Sequence, residues 1–439
     1  MTGFIYLWVA SSGTFAFRVS LFPHHIMIAD AWLHGQLSVR QEVIDEAKRA
    51  YAASYRDAVE RELRAQGQEL TEAGWQEAQA HLTPPLLHDW SVVDGKYYGY
   101  FGPMPALLLL PYVAVAGLGA SDMLFSCCLG TGTVWLIYLV IRQANRMAFV
   151  RADTAVCVAL ALLFGLGTVH FYCAVLGQTW FLSLIVTDFF LTLAIWCVLQ
   201  SRNGLRWSVA AGAALGAAYL ARPSVLATAV FFYIVSLALW DSADLRWRRS
   251  IRHGLALTAP LTVAIAVGLA FNYARFGNPF ESGLRIQLET GANPIFRELY
   301  HRHGIFSWHY LPTNIYYYFL NPLLQRDSDT RAITFDPWGN SMFLVTPALL
   351  YVFRAARRHD WFTTAIWLGV GTSMLTLLLF HGTGWVQFGN RYLLDLMPLA
   401  VLLVVIGMSG RLTRTAALLI GASIIVNAWG TYRFCLEQF

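Results

Sequence analysis

The stretch DWSVVDGKYYGYFGPMPALLLLPY, from Asp89 to Tyr112, decides how the chain is threaded. Asp89, Asp94, Lys96 and a run of tyrosines lead directly into an apolar segment that Pro105 and Pro111 interrupt. Either that segment crosses a bilayer or it lies along one surface. The choice sets the side on which every later loop emerges.

A bilayer is the setting that composition demands. Of 439 residues, 57% are hydrophobic and only 13% are charged, which excludes an ordinary soluble globule of this length. Apolar runs of roughly 16 to 22 residues recur, matching the ~20 that a helix needs to span ~30 Å of hydrocarbon. Period-two alternation, the mark of a barrel, is missing. The six cysteines fall mostly inside apolar runs, with no disulfide framework or C-x-x-C spacing. Phe4 to Phe22 lacks a basic leader and a small-residue cleavage site, so it reads as a retained helix. The net charge of +5 assigns no nucleic-acid partner, because basic residues in a membrane chain first set topology.

Spans are expected over residues 4–22, 121–142, 153–173, 179–200, 206–220, 224–240, 253–273, 341–354, 361–381, 393–409 and 413–431. That describes an all-α polytopic membrane protein of about eleven transmembrane helices, in a single domain, 1–439. With these spans, five groups of basic residues share one side: Arg142, Arg146 and Arg151; Arg202 and Arg206; Arg246, Arg248, Arg249 and Arg252; Arg354, Arg357 and Arg358; Arg411 and Arg414. By the positive-inside rule that side is cytoplasmic. A crossing at Met104 to Gly119 would move all of them outside, so the segment is read as a proline-interrupted juxtamembrane or re-entrant helix. Two large loops, 24–120 and 275–340, then share the outer face. In the first, Val43, Ala47, Tyr51, Tyr55, Val59 and Leu63 recur every four residues, describing an amphipathic helix over Arg40 to Ala65. A second short helix is expected over LTEAGWQEAQAHL, 70–82.

Ionisable groups gather at the outer ends of these spans, where a charge needs a partner or a watery cavity. Asp30 follows the first span, and Asp89, Asp94 and Lys96 precede the juxtamembrane helix. Arg222 in LARPS and Arg391 in GWVQFGNRYLLDLMP lie on the side where the sign rule disfavours arginine. One carboxylate with two or three cations suits transfer of a sugar from a lipid-linked phosphate. The acceptor hydroxyl needs a general base, whereas the departing phosphate needs positive charge. Asp30 and Asp89 are the candidate catalytic residues, and Lys96, Arg222 and Arg391 the candidate ligands of the donor phosphate. Tyr97, Tyr98 and His24 are candidate substrate contacts. Asp94, in Asp-Gly, is read as a turn residue. Asp188, inside a span, is expected to meet Arg18 or a polar neighbour across a helix interface. His301, His303 and His309 lack zinc-type spacing, and no metal site is assigned.

The order of IADAWLHGQL, DGKYYGYFGPMPALLLLPY, GAALGAAYLARPS, NYARFGNPFESG and QFGNRYLLDLMPLA resembles the polytopic C-type (GT-C) glycosyltransferases. Within them it is most similar to the branch of protein O-mannosyltransferases and aminoarabinose transferases, and the resemblance covers most of the chain. It implies inverting transfer from a polyprenyl-phosphate sugar to a hydroxyl of a glycan, lipid or protein, at the outer face of a membrane. The expected setting is a bacterial inner membrane, with the lipid-linked donor, the acceptor and membrane lipids as partners. A first-loop aspartate serves as base in the family, a role that falls on Asp30, while Lys96 and Arg222 match the phosphate contacts. The chain departs from the pattern twice. Gln178 stands where members often carry a second acid, and the paired first-loop acids are reduced to Asp30 alone. No cofactor is firmly implied, and a divalent metal has no support. Rival classes are an oligosaccharide polymerase or ligase, and a transporter or lipid flippase; no inverted repeat of broken helices points to transport.

Overall fold

The computed structural model describes residues 1–65, 71–72, 75–76, 84–239, 246–290, 294–326 and 333–438. The loop helix expected over 70–82 lies largely outside these residues. The described chain forms helices α1 (Thr2–Ala10), α2 (His24–Leu33), α3 (Gln41–Ala65), α4 (Met104–Ala116), α5 (Asp122–Arg146), α6 (Thr154–Leu166), α7 (His170–Leu176) and α8 (Thr179–Leu199). After these come α9 (Leu205–Ala221), α10 (Ala229–Ala238), α11 (Arg246–Phe276), α12 (Leu284–Thr290), α13 (Pro294–His303), α14 (Trp361–Leu379), α15 (Met397–Gly407) and α16 (Arg414–Gln438). Shorter helical turns and two small hairpins join them.

Among the described residues, five helices are long and apolar enough to cross a membrane: α5, α8 and α14, with most of α11 and of α16. The pair α6 and α7, bent by 56° where it breaks, makes a sixth if counted as one span. Of the other expected spans, 206–220 is covered by the continuous 17-residue helix α9, whereas 4–22, 224–240, 341–354 and 393–409 are shorter or interrupted. Residues 4–22 are helical only to Ala10, because Ser11 bonds back to the Leu7 carbonyl (2.7 Å) and Ser12, Gly13 and Phe15 take positive φ. Residues 224–240 open with a 3₁₀ turn, Pro223–Thr228, before α10. Residues 341–354 form three short turns. Such breaks survive inside a bundle because neighbouring segments satisfy the freed backbone groups. Where helices start cleanly, a side chain caps them: Ser121 accepts from Leu124 N, Asp153 from Val156 N, and Asp360 from Phe362 N and Thr363 N.

The centre of the bundle is apolar on every side. All of α15 is buried, as is most of α8, the pattern of helices that meet protein all round. Helix α9 lies against α11 through GAALGAA: a Cβ on Gly212 would collide with the Leu257 carbonyl, and one on Gly216 with Ala264.

The loops sort onto two ends. At one end Arg202 Nε donates to the Leu239 carbonyl (3.0 Å), Gln143 to the Leu199 carbonyl (3.4 Å), Phe149 stacks on Phe362 (4.3 Å), and Gly410 abuts the Arg151 carbonyl. The arginine-rich turns therefore lie together. At the other end Thr179 N donates to the Phe22 carbonyl (3.1 Å), and Ser20 donates to Asp122 through both N (2.8 Å) and Oγ (2.5 Å).

Helix α4 has both of its ends at this second end. Gly102 sits so close to the Leu220 carbonyl, at the last turn of α9, that a side chain there would collide. Past α4, Ser121 donates from Oγ to the Arg18 carbonyl (2.6 Å) and opens α5. The segment, expected to be interrupted by its prolines, is instead one helix that runs through Pro111, and it returns to the end it came from, packing through Ala106, Leu109 and Val113 on Ile26 and Ile28 of α2 and on Leu182 and Val186 of α8. Beside it, Ser91–Val93 pairs with Lys96–Tyr98, and Asp94 (φ 49°) and Gly95 (φ 74°) make the tight turn. Helix α3 runs the length expected of it, but Ile44 and Ala52 are its buried residues and Tyr55 is exposed.

Candidate functional site

A cavity of about 1110 Å³ opens at the α4 end of the bundle. Part of its wall is apolar, from Phe181, Leu220, Leu377 and Phe380, and into it face Asp89, Arg222, Arg275, His381 and Arg391. It adjoins an open groove lined by Glu281, Arg285, Glu289, Tyr300 and His301, with Ser282, Ile305 and Phe306 common to both.

Asp89 is placed by its neighbours in sequence. Trp90 is buried, donates from its indole to the Leu86 carbonyl (3.0 Å) and packs on His24, with ring centroids 4.3 Å apart. That anchor leaves Asp89 in the left-handed region (φ 62°), which aspartate tolerates better than most residues. Its carboxylate accepts from Trp180 Nε1 (3.0 Å) and Gln287 Nε2 (2.8 Å), with His88 Nε2 at 3.3 Å. Among the described residues no arginine or lysine pairs with it. The group is oriented by three segments yet its charge is not cancelled by a permanent cation.

Arg222 ends α9. The following Pro223 disfavours helical geometry, and Arg222 takes an extended conformation (φ −147°, ψ 113°) that carries its side chain across the bundle. There it meets Asp395 in a two-point contact, Nε to Oδ1 at 3.2 Å and Nη2 to Oδ2 at 3.3 Å, and Ser224 donates to Oδ2 at 2.6 Å. Tyr392 lies under the guanidinium, 4.8 Å from it.

Arg391 is only 5% exposed and has no carboxylate partner among the described residues. One terminal nitrogen donates to the Trp385 (3.0 Å) and Val386 (3.5 Å) carbonyls, Nε is unsatisfied, and Phe181 and Tyr392 face the guanidinium at 5.4 and 5.5 Å. The loop that holds it carries Gly384 at φ 108° and Val386 at φ 52°, a rare conformation for a β-branched residue. A buried cation satisfied only by carbonyls attracts an anion, since burial makes the missing charge partner costly. Arg275 is similar: it donates to the Gly99 carbonyl and to Asn272 Oδ1 (2.7 Å), and its Nε is unsatisfied.

The other sequence candidates lie off the cavity. Asp30 is buried in α2, and the chain reverses after His34 and Gly35 so that Arg40 Nε reaches Oδ2 at 2.7 Å, with His34 Nδ1 3.7 Å from Oδ1. This carboxylate is engaged in joining α2 to α3. Lys96 projects from the hairpin into solvent, Tyr97 packs on the α2 cluster, and Tyr98 lies against Phe276 (5.5 Å). His24 is fully buried behind Trp90 and Phe101. From the same stretch it is Tyr100 and Phe101 that reach the cavity, as does Gln178. Asp188 meets His170 (3.7 Å), whose Nδ1 is 2.9 Å from Tyr6 Oη, rather than Arg18. His303 and His309 stack ring on ring at 3.6 Å, and among the described residues no group of three or more metal-type ligands gathers. Sequence reasoning passed over Asp395 and His381. Asp395 carried a signal, an acid four residues after Arg391 inside an apolar run; His381 carried none.

His25 links α2 to α8, its Nε2 lying 2.8 Å from Ser183 Oγ and 3.2 Å from the Thr179 carbonyl. Burial pushes its pKa down to about 4, the carbonyl bond opposing this in part. The unfolded chain takes up this proton near pH 6.5, the folded one only near 4. His25 therefore contributes full stability above pH 6.5 and loses it as pH falls towards 4, by up to about 3 kcal/mol. Thermal unfolding of wild type and His25→Asn across pH 4–7.5 checks this. The variant should show a flatter dependence in that window; parallel curves would remove His25 as the cause.

No protein-family model and no curated protein matches the chain. Among solved structures it is similar to the Archaeoglobus fulgidus oligosaccharyltransferase in its apo form, with 15% identity and a TM-score of 0.45 over 80% of this chain and 49% of that one. The same enzyme tethered to an acceptor peptide containing the NVT sequon gives 16% identity and a TM-score of 0.42, over 80% and 48%. AglB of the same organism, in complex with an inhibitory peptide and a dolichol-phosphate, gives 14% and 0.38, over 79% and 48%. The chain spans about half the length of each of these structures.

Proposed function

We propose that this chain is an inverting membrane glycosyltransferase that moves a sugar from a polyprenyl-phosphate donor to a hydroxyl acceptor, on the face opposite the arginine-rich turns. One observation carries the reading. Arg391, buried and without a carboxylate partner among the described residues, shares a largely apolar cavity with Asp89, a carboxylate aimed by Trp180 and Gln287.

In this reading Asp89, rather than Asp30, is the general base. It takes the proton of the acceptor hydroxyl as that oxygen bonds to the anomeric carbon, on the side away from the phosphate. The bond from the anomeric carbon to the phosphate oxygen breaks, its electron pair leaves with the phosphate, and the configuration inverts. Arg391, with Arg222 beside it, stabilises the phosphate as its charge grows. The apolar wall takes the first isoprene units of the donor. From the first loop Asp89, Tyr100 and Phe101, and from the second Ser282, Gln287 and Phe296, line the cavity on its outer side, and the groove at Glu281, Arg285 and Tyr300 gives a polar acceptor a way in.

The test is transfer of radiolabelled sugar by purified protein in detergent, from a panel of polyprenyl-phosphate sugars, with a membrane extract as acceptor. Incorporation of label from at least one donor is the expected result. A folded protein that neither binds nor consumes any donor would remove the transferase reading and leave a transporter, to be assayed in liposomes.

A further inference from the structure

We infer that the wall formed by Phe296, His381 and Trp385 is the subsite for the sugar of the donor, and that it takes a neutral hexosyl group. The inference rests on the transferase reading and goes beyond it by naming the group transferred and the residues that select it.

His381 provides the first observation. It lies beyond the end of α14, lines the cavity and is 9% exposed, yet among the described residues neither ring nitrogen has a hydrogen-bond partner. Polar groups this enclosed are rarely left unsatisfied, so a ligand or water is the natural complement. Burial pushes its pKa down to about 4, so the ring is neutral at ordinary pH and offers one donor and one acceptor. Two hydroxyl groups of a sugar match that pair; a phosphate, which only accepts, matches half of it.

The surroundings provide the second. The His381 ring lies near-parallel to Phe296, with centroids 5.8 Å apart, and Phe296 packs edge-on against Trp338 (5.4 Å), which packs edge-on against Trp385 (4.6 Å). Trp385 is 39% exposed and faces the cavity, an aromatic surface of the kind on which the C–H face of a pyranose packs. The loop is rigid. Thr383 Oγ1 and Gln387 Nε2 both donate to the Trp338 carbonyl, at 2.7 and 3.0 Å, and the His381 amide donates to the Ile305 carbonyl at 2.9 Å. A Cβ on Gly382 would lie 3.0 Å from the Phe296 ring, so glycine lets that ring lie flat on the loop. With the backbone held, filling the subsite asks that the enclosed His381 ring turn its nitrogens toward the cavity, a single side-chain adjustment of small entropic cost.

The third observation assigns the subsite to the donor. Arg391 donates directly to the Trp385 carbonyl (3.0 Å), so a phosphate at Arg391 has Trp385 as its neighbour, and the group esterified to that phosphate meets the aromatic wall. Charge decides between kinds of sugar. Arg222, Arg275 and Arg391 face this cavity against Asp89, and Asp395 is spent on Arg222. With the donor phosphate at Arg391 the charges balance, and the wall of Phe296, His381 and Trp385 offers no carboxylate to the ammonium of an amino sugar, so a neutral hexosyl group is the better fit.

The test measures binding by titration calorimetry with purified full-length protein. The probes are citronellyl phosphate, its glucosyl, mannosyl and galactosyl esters, and an ester of a 4-amino sugar. Wild type should bind at least one neutral hexosyl ester about tenfold or more tightly than either bare citronellyl phosphate or the amino-sugar ester. His381→Phe keeps the ring stack and loses both polar atoms. It should remove about a tenfold factor from the hexosyl ester, the worth of roughly one good hydrogen bond, and leave bare citronellyl phosphate unchanged. His381→Asn, which restores a donor and an acceptor, should recover part of the loss. Equal weakening of hexosyl and bare phosphate, no weakening of the hexosyl ester, or preference for the amino sugar would each overturn the subsite while leaving the transferase reading standing. Failure of wild type to bind any of the phosphates would overturn both.

Discussion

Asp89→Asn lowers the turnover of sugar transfer by roughly 10²- to 10⁴-fold, the usual contribution of a positioned general base. Asparagine has nearly the same shape, and its amide oxygen can still accept from Trp180 or Gln287, so the cavity wall should persist. What it lacks is the ability to take a proton. Initial rates in the transfer assay, with donor affinity measured separately, isolate that loss: the rate falls while the dissociation constant of the donor moves little. Asp30→Asn is the companion. Its carboxylate bonds to Arg40 away from the cavity, so the variant should transfer sugar at near wild-type rate while losing some stability at the α2–α3 junction. A rate preserved in the Asp89 variant and abolished in the Asp30 variant would exchange the two assignments.

The second large effect is on stability. Asp395→Ala leaves the Arg222 guanidinium deep in the bundle without its carboxylate and also strips Ser224 of its acceptor. Breaking a buried pair from one side typically costs 3–5 kcal/mol, and Arg222 keeps some access to the cavity, so about 3 kcal/mol is expected. Thermal unfolding in detergent should show it as a clear drop in midpoint. Arg222→Met combined with Asp395→Leu removes both charges together and should recover most of that stability, because no unpaired ion remains. Transfer should stay low in the double variant, since Arg222 also serves the donor phosphate. Recovery of both properties would show that the pair is structural only.

The sequence made legible the long apolar helices and the return of Met104 to Gly119 to the end of the bundle it left, because both depend on sums: apolar length, and the sign of charge on alternate loops. Asp89, Arg222 and Arg391 were legible for a related reason, as ions at span ends are conspicuous wherever the chain folds. Partner choice was not legible. That Asp30 pairs with Arg40 depends on the reversal at Gly35, and that His24 lies behind the wall while Tyr100 lies on it depends on how a β hairpin leans on α2. Asp395 was visible as an acid close after Arg391, but its pairing with Arg222, 173 positions away, depends on how two distant helix ends meet. Interrupted segments such as 4–22 and 341–354 pass a hydropathy average, although their breaks come from single side chains and turns that it cannot register.

Helix α4 also bears on how the chain is made. The machinery that inserts nascent chains meets an apolar helix of 13 residues, about 20 Å long against a hydrocarbon layer of about 30 Å. Shortness, with Pro111 inside the helix, keeps it from being threaded through. With α4 held on one side, the positive-inside rule gives every later helix the orientation that the arginine-rich turns ask for. Lengthening α4 by about two turns of leucine would supply the missing 10 Å and oblige the synthesised protein either to invert everything downstream or to leave one later span outside the bilayer.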